Sequence, residues 1–434
     1  MAASTGAAHA QAFDAQALGL KPGVTEDQSG VLQDVLLRAA IDGRPLFLPA
    51  GTYFAGNLEI PSNILVQGVP GASIIAASSD APVARVSGSA HVGFEGIDFR
   101  QGSGSPTGAD RALLEIEASD QVRLRNCSFQ GGLANGLAIR DAAVTIEGCD
   151  FSEHALAAIF SLDSRGLLVT GNSIDGCGNG GIMIWGSANR HDGSIVTGNR
   201  IARIGWTNGG NGQNGNGINI FRCDDVVIAD NQISECAFTA IRLNSTNNVL
   251  VTGNLCRESG EVAIFSEFAF TGSVISDNIV DGAAAGISIT NMDKGGQIAV
   301  CSGNIVRNIR AESAVNPETR PVGIYAEAET VVSGNTIYGV TGMGIQAGYG
   351  TYLRNVVIAD NVLYAIHTGI GVSVVQDPEP GPVRITGNIV TDPLDYAIVG
   401  LEWDKVVSTD LVKDAAKYPH VSIEDNSVTV FGGR

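Results

Sequence analysis

The chain has 434 residues, 44% hydrophobic and 16% charged, with a formal charge of −19 at pH 7. That balance can bury a long continuous core, and no run of about eighteen apolar residues occurs that would span a bilayer. The negative charge argues against a nucleic-acid partner, which needs clustered Lys and Arg, and lowers the expectation of an acidic glycan without excluding it. A few Arg residues in a groove dominate locally where the Debye length is about 8 Å.

In chain order, residues 1–12 read as the tail of a signal peptide, with Ala8-His9-Ala10 or Ala10-Gln11-Ala12 as a small-x-small cleavage site, so a periplasmic or secreted protein is expected. Residues 13–60 read as an N-terminal cap. Thr25 and Gln28 predict a capping box that opens an amphipathic helix through about Ile41, with Leu32, Val35, Leu36 and Ala39 on one stripe and Gly43 ending it. An exposed terminal coil of a repeat fold is an open sheet edge, which such a helix covers.

From residue 61 to 434 the pattern is a repeat. Apolar-x-[Gly/Asp]-Asn-x-[Ile/Val/Leu] aligns Asn172, Asn199, Asn231, Asn254, Asn278, Asn304, Asn335, Asn361, Asn388 and Asn426 in one column, at intervals of 27, 32, 23, 24, 26, 31, 26, 27 and 38. Two earlier copies carry Cys127 and Cys149 at the Asn position. A period of about 22–24 residues fits a leucine-rich repeat or a β-helix; Val, Ile and Gly dominate each unit and the leucine-rich consensus is absent. The expectation is all-β: a single right-handed parallel β-helix of about 12 or more coils, with three short strands per coil and an N-terminal capping helix. The Asn column predicts a ladder of side-chain amides at one turn. Cys127 and Cys149 fall on adjacent coils, where a disulfide is geometrically conceivable and a stack of two buried thiols is the expected outcome. The seven Cys lack the paired spacing of zinc or redox sites. Residues 402–420 read as an insertion with a short helix at Ser408–Tyr418, followed by a last strand at Val421–Val430.

Val24-Thr-Glu-Asp-Gln-Ser-Gly-Val-Leu-Gln33, Pro45-Leu-Phe-Leu-Pro-Ala-Gly-Thr-Tyr53 and Ile64-Leu-Val-Gln-Gly68 resemble the opening of pectate-lyase-like right-handed β-helix proteins. With residues 1–12 added, the whole chain resembles the twin-arginine-translocated β-helix repeat proteins of proteobacteria. The resemblance implies the fold. Its superfamily holds polysaccharide lyases, glycoside hydrolases, epimerases and viral tail-spikes, so it implies activity only by analogy. Neither the calcium-binding Asp constellation nor the nearby Arg signature of pectate lyases is present.

A second repeated strand, [Gly/Ala]-[Ile/Leu/Val]-x-[small or aliphatic], sends its second and fourth following residues to the outer face. The second-residue column runs Ala138, Phe160, Met183, Asn219, Arg242, Phe265, Ser288, Tyr325, Gln346, Gly371; the fourth runs Arg140, Leu162, Trp185, Phe221, Asn244, Glu267, Thr290, Glu327, Gly348, Ser373. Both turn polar centrally, where Asn219, Arg242, Asn244, Glu267, Tyr325, Glu327 and Gln346 form one solvent-facing patch beside Trp185, Phe221 and Phe265. Amides, charges and aromatics together bind the hydroxyls and C–H faces of sugars. The two longest central insertions, Trp206–Asn216 and Arg310–Pro321, feed into this face, and Asp293-Lys294 and Glu402-Trp403 are placed at its ends.

Two chemistries fit. Glu267 and Glu327, two coils and about 9.6 Å apart by strand spacing, suit inverting hydrolysis, with Glu267 near Phe265 and Phe221 as the acid of raised pKa and Glu327 as the base, or the reverse. Alternatively Arg242, Asn219 or Asn244 neutralises a uronate while Tyr325 serves as base or acid in β-elimination. The negative charge puts glycoside hydrolase slightly ahead of polysaccharide lyase; a non-catalytic glycan-binding or structural β-helix is the alternative. No cofactor is expected: His154, His191 and His367 sit in or near turns without metal-ligand spacing, the patch holds too few carboxylates for the six to eight oxygens of Ca²⁺, and no dinucleotide signature follows a strand. The expected partner is a polysaccharide or oligosaccharide; oligomeric state stays open.

Overall fold

Short apolar alternations broken by Gly, Asn and Asp cannot make long strands, and each can bury its inner face only against its neighbours one coil away. The structure, a computed structural model, describes residues 12–210, 212–290, 295–376 and 378–431. Residues 1–11 of the expected signal remnant and Asp293-Lys294 lie outside the described residues. Two compact units are resolved by their contacts, Met1–Ile174 and Asp175–Arg434. Each is a parallel β-helix, so the all-β reading holds.

In the first unit, Ile64–Gly68, Ala90–Glu95, Asp120–Arg125, Val144–Glu147 and Leu168–Thr170 pair successively in parallel as one wall. Gly51–Ala55, Ser73–Ala77, Asp98–Arg100, Ser128–Gln130 and Asp150–Ser152 make another. In-register pairing stacks like on like: Phe99, Phe129 and Phe151 lie ring on ring at 4.9 and 4.7 Å, the strand spacing itself. Cys127 and Cys149 are both buried as thiols, near the carbonyls of Arg125 and Glu147. The helix Ser29–Ile41 buries Leu32, Val35, Leu36 and Ala39 against the strands between Leu46 and Gly68. Its start differs from expectation. Gln28 is the N-cap and no side chain caps the helix; the Gln28 amide instead accepts from Lys21 N at 2.8 Å and donates to Lys21 O at 2.9 Å. That reciprocal pair ties down the incoming loop, so the capping box from Thr25 does not form.

The second unit carries the ladder. From Asn199 through Asn231, Asn254, Asn278, Asn304, Asn335, Asn361 and Asn388 to Asn426, each side-chain oxygen accepts both the backbone N–H and the side-chain amide of the preceding Asn, at 2.8–3.0 Å. The remaining amide proton goes to a carbonyl at the previous turn, as from Asn278 to Val251 O at 3.0 Å. In the first unit Asn172 makes the same acceptance from Cys149 N at 2.8 Å, so the thiol occupies the column without breaking its backbone bond.

Near the C-terminus Tyr396–Glu402 and Lys405–Ser408 form an antiparallel hairpin, and Asp410 caps a short helix, Leu411–Asp414, continued by a 3-10 turn at Ala415–Lys417. The expected final strand is two, Val421–Glu424 and Ser427–Thr429, because Asn426 is itself a ladder corner.

His154, expected as a surface or turn residue, is only 1% exposed. Its Nε2 lies 3.1 Å from Phe129 O, and burial pushes its pKa down to about 4. The neutral ring is what folds; the unfolded chain takes up a proton below pH 6.5, so stability is full above 6.5 and lost between 6.5 and 4. Chemical denaturation at pH 7 and pH 5 is expected to show a loss of about 2 kcal/mol that a His154→Gln variant lacks; equal pH slopes in both proteins would refute it. For the ladder, Asn278→Ala strands buried donors of Asn254 and is expected to cost about 3 kcal/mol or more in urea unfolding, with Asn278→Cys less costly, as Cys149 shows the thiol fits.

Candidate functional site

Parallel register decides which outer residues meet. Asn219 pairs with Arg242, Arg242 with Phe265, Phe265 with Ser288, Ser288 with Tyr325 and Tyr325 with Gln346. Trp185 pairs with Phe221, Phe221 with Asn244, Asn244 with Glu267 and Glu267 with Thr290. Glu327 follows the strand Val322–Ala326, its N–H held by Ile289 O at 3.2 Å. The expected patch is thus assembled, all of it in the second unit.

Its exposure was misread. Glu267 is 1% exposed, Glu327 3% and Arg242 8%, and Asn219, Phe265 and Gln346 are buried too. Alternation sends these side chains outward, but the two long insertions fold back over them and roof the face. Trp206 packs edge-on against Phe238 at 5.0 Å and Thr207 Oγ1 donates to Gly178 O at 3.0 Å, which seats the first roof. Asn316 Nδ2 donates to Glu261 Oε1 at 2.7 Å and Ser313 Oγ to Gly260 O at 2.7 Å, which seats the second.

Two recesses remain. One, of about 870 Å³, has Phe265, Thr290, Tyr325, Glu327 and Gln346 beneath the segment Asn316–Pro321, with Tyr349 and Tyr352 among its walls. The other, of about 290 Å³, lies among Trp185, Phe221, Asn219, Asn244 and Arg242, with Gly212 and Gln213; the Trp185 and Phe221 rings meet edge to face at 6.1 Å.

Glu267 and Glu327 have different surroundings. The Arg242 guanidinium grips Glu267 bidentately, Nε to Oε1 at 2.7 Å and Nη2 to Oε2 at 2.9 Å, and Asn244 Nδ2 adds 2.9 Å to Oε1. Three donated bonds take up most of its acceptor positions and commit the carboxylate to Arg242 and Asn244, so the geometry does not support Glu267 as the acid. Arg242, whose Nη1 is also 3.5 Å from Glu261 Oε2 and which lies 5.1 Å over the Phe265 ring, is committed to carboxylates rather than open to a uronate. Asn219 Nδ2 donates to Gln213 O at 3.3 Å and Gln346 Nε2 to Gly348 O at 3.2 Å, both binding the face to neighbouring loops.

Glu327 instead accepts from the Tyr325 hydroxyl at 2.9 Å. Burial, reinforced by the Glu327 charge, holds the Tyr325 phenol well above its usual range. It therefore stays protonated as a donor, which disfavours it as the base of an elimination.

Sequence columns did not reveal Glu261, Glu318, Arg320, Tyr349 or Tyr352 as cavity residues. Arg320 pairs with Asp404 and stacks 5.1 Å over Tyr349, while Trp403 backs Tyr349 at 5.1 Å. The sequence signal for two of them was that Glu318 and Arg320 lie in the long insertion Arg310–Pro321.

The pattern of the family described as periplasmic copper-binding protein (NosD) matches residues 93–255. Copper wants converging imidazole, thiolate or thioether donors; here the Cys side chains are buried, and among the described residues no group of three or more His, Cys, Asp or Glu could hold a metal ion. The donor set does not fit that metal. No curated protein matches at a significant level. Among solved structures, a PL6 alginate lyase in complex with a trisaccharide is 12% identical, covering 99% of this chain and 97% of that one with a TM-score of 0.53. PfbA, a surface adhesin of Streptococcus pneumoniae, is 12% identical, covering 92% and 94% with a TM-score of 0.52.

Arg242→Met is expected to destabilise the fold by about 3–5 kcal/mol, because it leaves Glu267 charged and buried without its partner. The double variant Arg242→Met/Glu267→Leu should recover much of that in thermal or urea unfolding; no recovery would mean the pair is not what binds this face together. At 12% identity these likenesses establish a shared parallel β-helix fold and nothing finer.

Proposed function

We propose that the protein is exported and acts on a glycan, taking a stretch of polysaccharide into the roofed cavity and hydrolysing a glycosidic bond there. The observation that carries this reading is a recess of about 870 Å³ with aromatic walls and a buried carboxylate held by a phenol 2.9 Å away at its floor. Aromatic faces take the C–H sides of sugars, and a desolvated carboxylate is a strong proton acceptor. A solved neighbour is a lyase caught with a trisaccharide, and the family matched in part is described as periplasmic; both support the choice of substrate class and location. Among the described residues, no helix is long and apolar enough to cross a membrane.

In this reading Glu327 takes the proton from the attacking water as the water adds to the anomeric carbon, with Tyr325 fixing the carboxylate's orientation. The leaving oxygen must gain a proton from a second acid. Glu261 is engaged by Asn316, Thr239 and Arg242, which leaves Glu318 in the roof as the cavity carboxyl for that role. Elimination is the weaker chemistry, because Arg242 is committed and Tyr325 holds its proton. A non-catalytic glycan-binding role is favoured by one observation: the Glu267–Arg242 pair removes one of the two carboxylates expected from the sequence.

Incubation with neutral and acidic polysaccharides is expected to release new reducing ends without an unsaturated-uronate chromophore. Glu327→Gln should lose about 10³-fold or more in rate and Tyr325→Phe about 10–100-fold, mainly in kcat. Chromophore formation would replace hydrolysis by elimination; tight binding without any product, unchanged in Glu327→Gln, would establish the binding role.

A further inference from the structure

We infer that the glycan taken by the large cavity bears no carboxylates, and that sugars carrying an ammonium group are preferred to uncharged ones. This rests on the cavity being a glycan site, and it concerns which glycan.

Among the described residues the cavity wall holds three carboxylates, Glu261, Glu318 and Glu327, and one guanidinium, Arg320. That guanidinium is already answered by Asp404 and lies over the Tyr349 ring. Arg242, over the Phe265 ring, is divided between Glu267 and Glu261. Arg320 and Arg242 therefore both have carboxylate partners, and among the described residues the wall carries more carboxylates than guanidiniums. A uronate would meet that excess in a recess where water is displaced and screening is weak, whereas an ammonium would be drawn in. Phe265, Tyr349 and Tyr352 line the same space, and aromatic rings there suit the C–H side of a sugar.

An independent observation marks the floor as a ligand-contacting surface. Thr290 lines the cavity and is 2% exposed, and among the described residues its hydroxyl has no hydrogen-bond partner. A buried hydroxyl left unmatched is costly unless something supplies the bond. An amino or hydroxyl group of a bound sugar can do so, and its neighbours Glu327 and Tyr325 add an acceptor and a donor pair beside it.

The test uses three hexasaccharides of equal length with the full-length protein at pH 6: a glucosamine hexamer, its fully N-acetylated counterpart and a uronate hexamer. Calorimetry at about 20 and 200 mM salt reads affinity. The glucosamine hexamer is expected to bind at least about tenfold tighter than the N-acetylated one at low salt, with the advantage shrinking at high salt, and the uronate to bind weakest. Glu318→Gln should reduce the glucosamine advantage about three- to tenfold. Asp404→Asn, which frees Arg320, should raise uronate affinity by a similar factor. Thr290→Val should weaken the sugars without reordering them. Uronate binding as tight as glucosamine, or equal binding of the glucosamine and N-acetylated hexamers, would overturn the inference while leaving the cavity a glycan site. Failure of all three to bind would overturn both.

Discussion

Stacking of identical positions at one strand spacing is the constraint from which everything else in these coils follows. A parallel, in-register ladder places each residue above its counterpart one coil earlier, so a column in the alignment becomes a column in space. The Asn side chain suits the corner because it can donate and accept along the stack while giving a second proton to the backbone. From Asn231 to Asn388 each amide is both acceptor for one coil and donor to the next. A break at one rung therefore leaves buried groups unmatched on both sides, and that penalty keeps the register uniform enough to build a face from residues far apart in sequence.

The same rigidity explains how the face is used. Strands hold Arg242, Phe265, Glu267 and Tyr325 at fixed spacing, and the loops that interrupt the repeat are free to specialise. The insertions 206–216 and 310–321 turn what would be an open sheet into two recesses. Glu261 illustrates the coupling: it immediately precedes the strand Val262–Glu267, receives Asn316 from the roof, and shares Arg242 with Glu267. Roof and floor are thus joined through one guanidinium, so the ion pairs here hold geometry and set the local field more than they supply reactive groups.

Much of the site was legible because register follows from periodicity. Asn219, Arg242, Asn244, Glu267, Tyr325, Glu327 and Gln346 were placed on one face by counting from each Gly or Ala, and they are in fact neighbours there. What counting could not supply was what each residue does with its neighbours. Glu267 and Glu327 occupy equivalent positions in one column, yet one is gripped by Arg242 and Asn244 and the other by Tyr325. Gln28 likewise bonds to Lys21 rather than to the helix it precedes.

By itself the sequence determined the parallel β-helix, the position of its corners and the membership of its faces, because those depend on a period of two within strands and a nearly constant repeat between coils. Only the tertiary structure decided that the outer face is roofed, that Arg242 belongs to Glu267 and Glu261, and that Arg320 reaches Asp404, 84 residues away. Those outcomes depend on where irregular loops come to rest and on which of several nearby charges approaches within hydrogen-bonding distance. Neither is periodic, so no pattern in the chain announces them.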